Sequence, residues 1–234
     1  MFSFFGSKGA AQGKPLASTK PMAAAHGRFD VDRLPQKLGD FGLPDSAGGL
    51  LVSFIPPYAN FSAVAEGLSR LVAGAPGKAT FAALSSMGAL CSGGASSYCG
   101  AEVGDREGSF LWLSDEIIER CEVLSIDLHI GQGATVGERV SRIAQELTRI
   151  NPSFPINAQD TFALIFCDGL SASEGFLMRA WYESQRFPCL AIGGSAGGKL
   201  DFSGTYMHDG KSMLTGQAML IFCKVRPGIR FSPF

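Results

Sequence analysis

Phe187-Pro188-Cys189-Leu190-Ala191-Ile192-Gly193-Gly194-Ser195-Ala196-Gly197-Gly198-Lys199-Leu200 is the stretch on which the fold turns. Its first half is apolar and reads as a buried strand opened by Pro188. Its second half has little side-chain bulk. Gly193, four further residues, Gly198 and Lys199 reproduce the spacing of a phosphate-binding loop. The residues fail that motif on two counts. A Ser or Thr must follow the Lys to hold Mg²⁺, and Leu200 stands there. A helix must also begin at the anion. Instead Phe202, Gly204, Tyr206 and His208 alternate with Ser203, Thr205 and Met207, and Asp209-Gly210 is a hairpin signal. A nucleotide hydrolase is therefore disfavoured. What remains is a glycine-rich turn where strands approach closely, or the floor of a small-ligand site.

The same order of elements occurs earlier. Leu50-Leu51-Val52-Ser53-Phe54-Ile55 is a buried strand stopped by Pro56-Pro57. Asn60 is placed to cap a helix with Val64, Leu68, Leu71 and Val72 on its apolar face. A strand over residues 79–84 then runs into Ser85-Ser86-Met87-Gly88-Ala89-Leu90. In the later copy Thr161-Phe162-Ala163-Leu164-Ile165-Phe166-Cys167 is the first strand and Asp168-Gly169 the turn. Ser171-Ala172-Ser173-Glu174 has the spacing of a capping box, with Phe176, Leu177, Ala180 and Trp181 as the helix's buried stripe. Each copy reads as a βαβ unit with parallel strands and a right-handed crossover.

Between the copies lie a strand at Phe110-Leu111-Trp112-Leu113 and an alternating segment over residues 124–130. Thr135 and Glu138 cap an amphipathic helix carrying Val136, Val140, Ile143, Leu147 and Ile150. The last strand covers residues 218–225. The pattern predicts an α/β fold: two related βαβ units in a mixed, largely sheet-centred sandwich with flanking helices. Residues 1–46, rich in Gly, Ala, Pro, Ser and Lys, are expected to form a flexible leader ahead of a domain over residues 47–234.

The 234-residue chain is 46% hydrophobic and 18% charged, with a net charge of −1, so it can bury a sizeable core. That balance carries no electrostatic footprint for nucleic acid or an anionic membrane. No apolar run reaches the roughly 18 residues of a membrane span. The segment Met1-Phe2-Ser3-Phe4-Phe5 lacks a basic start and a long apolar core, so it is not a secretory signal. The six cysteines, at 91, 99, 121, 167, 189 and 223, form no CxxC pair. A zinc site is not expected, and a reducing, cytoplasmic compartment fits best.

In open α/β sheets ligands bind beyond the carboxyl ends of the strands. Asp168 and the small-residue turns at 85–89 and 193–198 fall there. Ser85, Ser86, Gly88, Asp168, Ser171, Gly193, Gly194, Ser195, Ala196 and Gly197 are the candidate ligand-binding residues. Each also has a plain structural role available, since Ser, Asp and Gly make turns and caps. His129 and His208 are the candidates for a haem ligand, although a solvated turn position for His208 and a polar-face contact for His129 explain them as well. Ser195 with a His and Asp168 could assemble a hydrolytic triad, but nothing in the sequence selects it. No catalytic residue and no metal ligand is expected.

These motifs resemble the FIST family, in particular its N-terminal domain, over roughly residues 48–230. The resemblance is carried by Leu84-Ser85-Ser86-Met87-Gly88-Ala89-Leu90, by Asp168-Gly169-Leu170-Ser171-Ala172-Ser173-Glu174, and by residues 187–202 with Thr205-Tyr206 and Asp209-Gly210. The Gly-Gly-Ser-Ala-Gly-Gly-Lys-Leu-Asp-Phe form is most like that of chemotaxis-type signal transducers. The resemblance implies a bacterial-type, intracellular sensory input domain that is not an enzyme. Amino acids are among the ligands proposed for the family, and some members bind haem and sense nitric oxide. The partners it implies are a C-terminal FIST domain, a chemoreceptor signalling module or a histidine kinase. The chain departs from the family where Ala89 replaces a frequent Glu and where Met87 replaces a small residue.

Overall fold

Strands that read as unbroken apolar runs need cover on both faces. The computed structural model, which describes residues 23–91, 98–99, 104–129 and 135–231, supplies that cover with two stacked sheets and three helices. In chain order the elements begin with β1 (Ala24–Asp30), β2 (Gly49–Ile55), α1 (Phe61–Gly74) and β3 (Ala79–Ser85). A small pair, β4 (Ala89–Leu90) and β5 (Tyr98–Cys99), is followed by β6 (Glu107–Ser114), β7 (Ile118–Asp127) and α2 (Val136–Arg149). The chain then forms β8 (Thr161–Cys167), α3 (Glu174–Ser184), β9 (Leu190–Ser195), β10 (Met207–His208), β11 (Met213–Leu214) and β12 (Gln217–Val225).

The larger sheet has the order β1-β6-β2-β3-β10-β11 and the smaller β7-β12-β8-β9. Among the described residues only β2 with β3 and β8 with β9 pair in parallel; each pair is joined by a helix, as the βαβ reading requires. The two units sit in different sheets. Alternation along β2 sends Leu51 and Ile55 under α1, beside Val64, Leu68 and Val72. It sends Leu50 and Val52 to the opposite face, against Met219, Ile221 and Cys223 of β12. The outer face of the smaller sheet, with Ile165, Leu220 and Phe222, packs against Ile143 and Leu147 of α2 and Leu177 and Trp181 of α3. The order of layers is helix, sheet, sheet, helix.

The expected leader is too long. The chain enters the larger sheet at Ala24, and β1 pairs with β6 in full register. The strand hides from periodicity because it lies at a sheet edge, with Phe29 as its buried side chain. Its stabilisation comes from across the ladder. Gly27 faces Phe110 and Phe29 faces Gly108, so each aromatic ring covers the partner strand's glycine. Leu38 and Leu43 then bury beside α1.

Two expectations about individual residues also change. His208 is not solvated: it is 3% exposed, lies against the Phe81 ring and accepts the Gly210 N–H at Nδ1. Residues 202–206 form no strand ahead of the two-residue β10, although they form no helix either. Burial holds the His208 imidazole below its ordinary value, with Asp209 and Glu66 opposing. The unfolded chain therefore takes up this proton at higher pH than the folded one. The stabilisation is complete above the unfolded value near 6.5, declines as pH falls through it, and levels off below the folded value. Asn at this position keeps an acceptor but no titration. The melting temperature of wild type should fall more between pH 7.5 and pH 5 than that of His208→Asn, and equal falls would show that His208 is not a source of acid sensitivity.

Candidate functional site

The two small-residue turns meet. The Ala196 N–H donates to the Cys167 carbonyl, at 2.8 Å, and the next N–H, of Gly197, donates to the Ser85 carbonyl, also at 2.8 Å. One step along the chain thus carries the backbone from the end of β8 in the smaller sheet to the end of β3 in the larger. The contact is backbone on backbone: a Cβ at Gly197 would stand 2.7 Å from the Met87 nitrogen. Gly198 is packed as closely against the Gly204 carbonyl, which closes the loop over residues 198–204 on itself.

Ser85 is part of this junction and not of an open surface. It is fully buried; its N–H donates to the Tyr206 carbonyl at 2.8 Å and its Oγ accepts the Tyr206 N–H at 2.8 Å. Ser86 holds its own turn, with its Oγ donating to the Gly88 carbonyl at 2.9 Å. A cleft of only about 10 Å³ beside it is lined by Phe54, Pro56, Ser86, Gly88, Glu107 and Ser109.

Asp168 is a clamp. Its Oδ1 accepts the Leu170 N–H at 3.0 Å and the Thr205 hydroxyl, and its Oδ2 accepts the Gly216 N–H at 2.7 Å. These donors come from the turn after β8, the chain ahead of β10 and the turn ahead of β12. At 6% exposure the carboxylate is spent on them. The Ser171 capping box does not form. Ala172 adopts a left-handed backbone with φ of 46°, so the helix starts only at Glu174, and the Ser171 hydroxyl accepts the Ser173 N–H instead. That frees Glu174. Its carboxylate accepts the Ser195 hydroxyl, from an exposed residue at the end of β9. Arg139 of α2 braces the same helix start, donating to Ser173 Oγ at 2.7 Å with its guanidinium over the Phe176 ring.

Gly193, Gly194, Ser195, Ala196, Gly197, Ser85 and Ser86 are therefore brought to one junction, with Gly88 in the adjoining turn. Glu174 and Thr205 are the partners that residue patterns did not select. Glu174 was legible only as a capping acid, and Thr205 only as one position in an alternating run. His129 and His208 are not drawn into this junction's hydrogen bonds. His129 lies just beyond β7 with φ of 51°, its Nε2 3.3 Å from Glu146. His208 is buried with Nδ1 accepting the Gly210 N–H, and the Nε2 of His129 is engaged by Glu146. Lys199 lies with Nζ 5.8 Å from the Tyr58 ring centre.

Two neighbouring glycines distinguish packing from freedom. A Cβ at Gly193 would overlap the Ile165 carbonyl of β8, whereas one at Gly194 would meet no atom within 4 Å. Gly193→Ala should cost about 3 kcal/mol or more in urea unfolding, and Gly194→Ala less than about 0.5 kcal/mol. Asp168→Asn turns one acceptor into a donor facing the Thr205 hydroxyl or the Gly216 N–H. It should cost about 2 kcal/mol, and an unchanged urea midpoint would mean that the clamp does not bear on stability.

The sequence matches the family model of the FIST N domain over residues 49–234, and the chain belongs to that family. FIST is a family of sensory domains and not a catalytic one, consistent with an input domain for signal transduction. No protein of curated function matches the sequence. Among the described residues no helix is long and apolar enough to cross a membrane.

Proposed function

We propose that this FIST N domain is a cytoplasmic input domain that binds a small polar ligand, of the amino-acid class, over the joined turns at 85–89 and 193–198. The carrying observation is the Ser195–Glu174 pair. It sets a carboxylate and a hydroxyl beside a floor of glycines and Ala196, where backbone can approach a ligand closely. A carboxylate there favours a ligand that brings a cation and hydrogen-bond donors, as an α-ammonium group does. Leu200 and Phe202, each 75% exposed on the loop that leaves the floor, offer apolar surface to the rest of such a ligand. Ser85, Asp168 and Ser171 support this floor from beneath through their own hydrogen bonds. Occupancy would be passed to a signalling partner such as a C-terminal FIST domain, a chemoreceptor module or a histidine kinase.

A thermal-shift screen of the amino acids tests this. A ligand at one hundred times its Kd adds about 2.7 kcal/mol, or roughly 5–10 °C at this chain length. Glu174→Gln and Ser195→Ala should each abolish most of that shift while leaving the unliganded melting temperature within about 2 °C. A shift that survives both substitutions would move the site elsewhere. A Soret band after haem reconstitution that disappears in His129→Ala would replace the amino-acid proposal with a haem-linked one.

A further inference from the structure

Cys121 of β7 and Cys223 of β12 stand directly opposite one another, with their sulfurs 3.8 Å apart. The phase of the ladder matters. The Leu128 N–H donates to the Gly216 carbonyl, which makes 128 and 216 a hydrogen-bonded pair. Such pairs alternate along an antiparallel ladder. Counting back through the register, 126 with 218, 124 with 220 and 122 with 222 are hydrogen-bonded, and Cys121 with Cys223 is not. Cα atoms of a non-hydrogen-bonded pair lie about 4.5 Å apart with their side chains drawn together. That separation falls within the range a disulfide spans, so each sulfur need move only about 0.9 Å to bond.

We propose that Cys121 and Cys223 form a reversible oxidation site, at which hydrogen peroxide converts the two thiols into a cross-strand disulfide joining β7 to β12. The Cys121 sulfur attacks the peroxide, the O–O bond breaks, and a sulfenic acid and water result. The Cys223 sulfur then displaces the sulfenic hydroxyl as a second water and the S–S bond forms. Two thiols are oxidised and one peroxide is reduced, and a dithiol or glutathione reverses the change.

The order of events follows from position. β7 is the outer strand of the smaller sheet, and Cys121 is only half-buried. Cys223 is fully buried between the sheets, where burial keeps its thiol protonated well above the ordinary range. Burial likewise pushes the Cys167 and Cys189 thiols up to about 12, so they compete poorly for the oxidant. The site does not depend on the ligand proposed above.

The test uses the full chain treated with millimolar hydrogen peroxide, quenched by alkylation, digested and mapped by mass spectrometry. The expected product is a dithiothreitol-reversible peptide pair linking Cys121 to Cys223, with a melting temperature raised by about 5–10 °C over the reduced protein. Cys121→Ser, at the half-buried position, should fold, yield no such peptide, and leave Cys223 alkylatable after denaturation. Recovery of Cys121 as sulfinic acid with Cys223 still free would overturn the proposal, as would a linked pair that does not contain both residues.

Discussion

The joint between the two sheets rests on a constraint of backbone packing. At Ala196 and Gly197 the chain donates one N–H to each sheet in succession, to Cys167 and then to Ser85. A side chain at Gly197 would drive into the Met87 nitrogen, and one at Gly193 into the Ile165 carbonyl. The two βαβ units thus end against each other because this segment is almost without side chains. The Asp168 clamp holds the same junction from the other side, tying the turn after β8 to the segments that lead into β10 and β12.

Much of this architecture is legible in the sequence where side-chain periodicity reports burial. The runs at 50–55, 161–167 and 218–225 are apolar at successive positions because their strands lie in the interior of a four-layer stack. The helix stripes are equally plain: Val140, Ile143, Leu147 and Ile150 bury as their spacing demands, and only Val136 at the first turn stays exposed. β1 was not legible, because an edge strand that buries Phe29 over Gly108 and has its own Gly27 covered by Phe110 of the neighbouring strand needs little further hydrophobicity. The start of α3 misleads for a different reason. A capping box is a local pattern, and it yields here to Ala172 in a left-handed conformation and to Ser195, a partner 21 residues away.

The candidate site shows the same division. Residue types marked the strand ends at which the two turns meet, since Gly, Ser and Asp gather where backbone must turn or touch. They could not tell the residues that build the floor from those left over to meet a ligand. Ser85 and Asp168 have the polar groups expected of ligand contacts, yet their hydrogen-bonding capacity is taken by Tyr206, Leu170, Thr205 and Gly216. A buried acceptor already holding three donors has little to offer a newcomer. Glu174 was the less conspicuous acid in the sequence, and its position beside Ser195 follows from a helix that begins two residues later than its capping pattern suggested.

The layer between the sheets connects this floor to the rest of the molecule. Ala196, just past β9, and Leu84, next to the last residue of β3, belong to the same core cluster as Cys223, Ile221 and Met219 of β12. Interiors packed to the density of organic crystals transmit displacement because few voids are present to absorb it. A change in the spacing of β7 and β12 therefore presses on side chains that also carry the junction. The glycines that let the turns meet leave the floor, with Ala196 and Ser195, little side-chain bulk of its own with which to compensate.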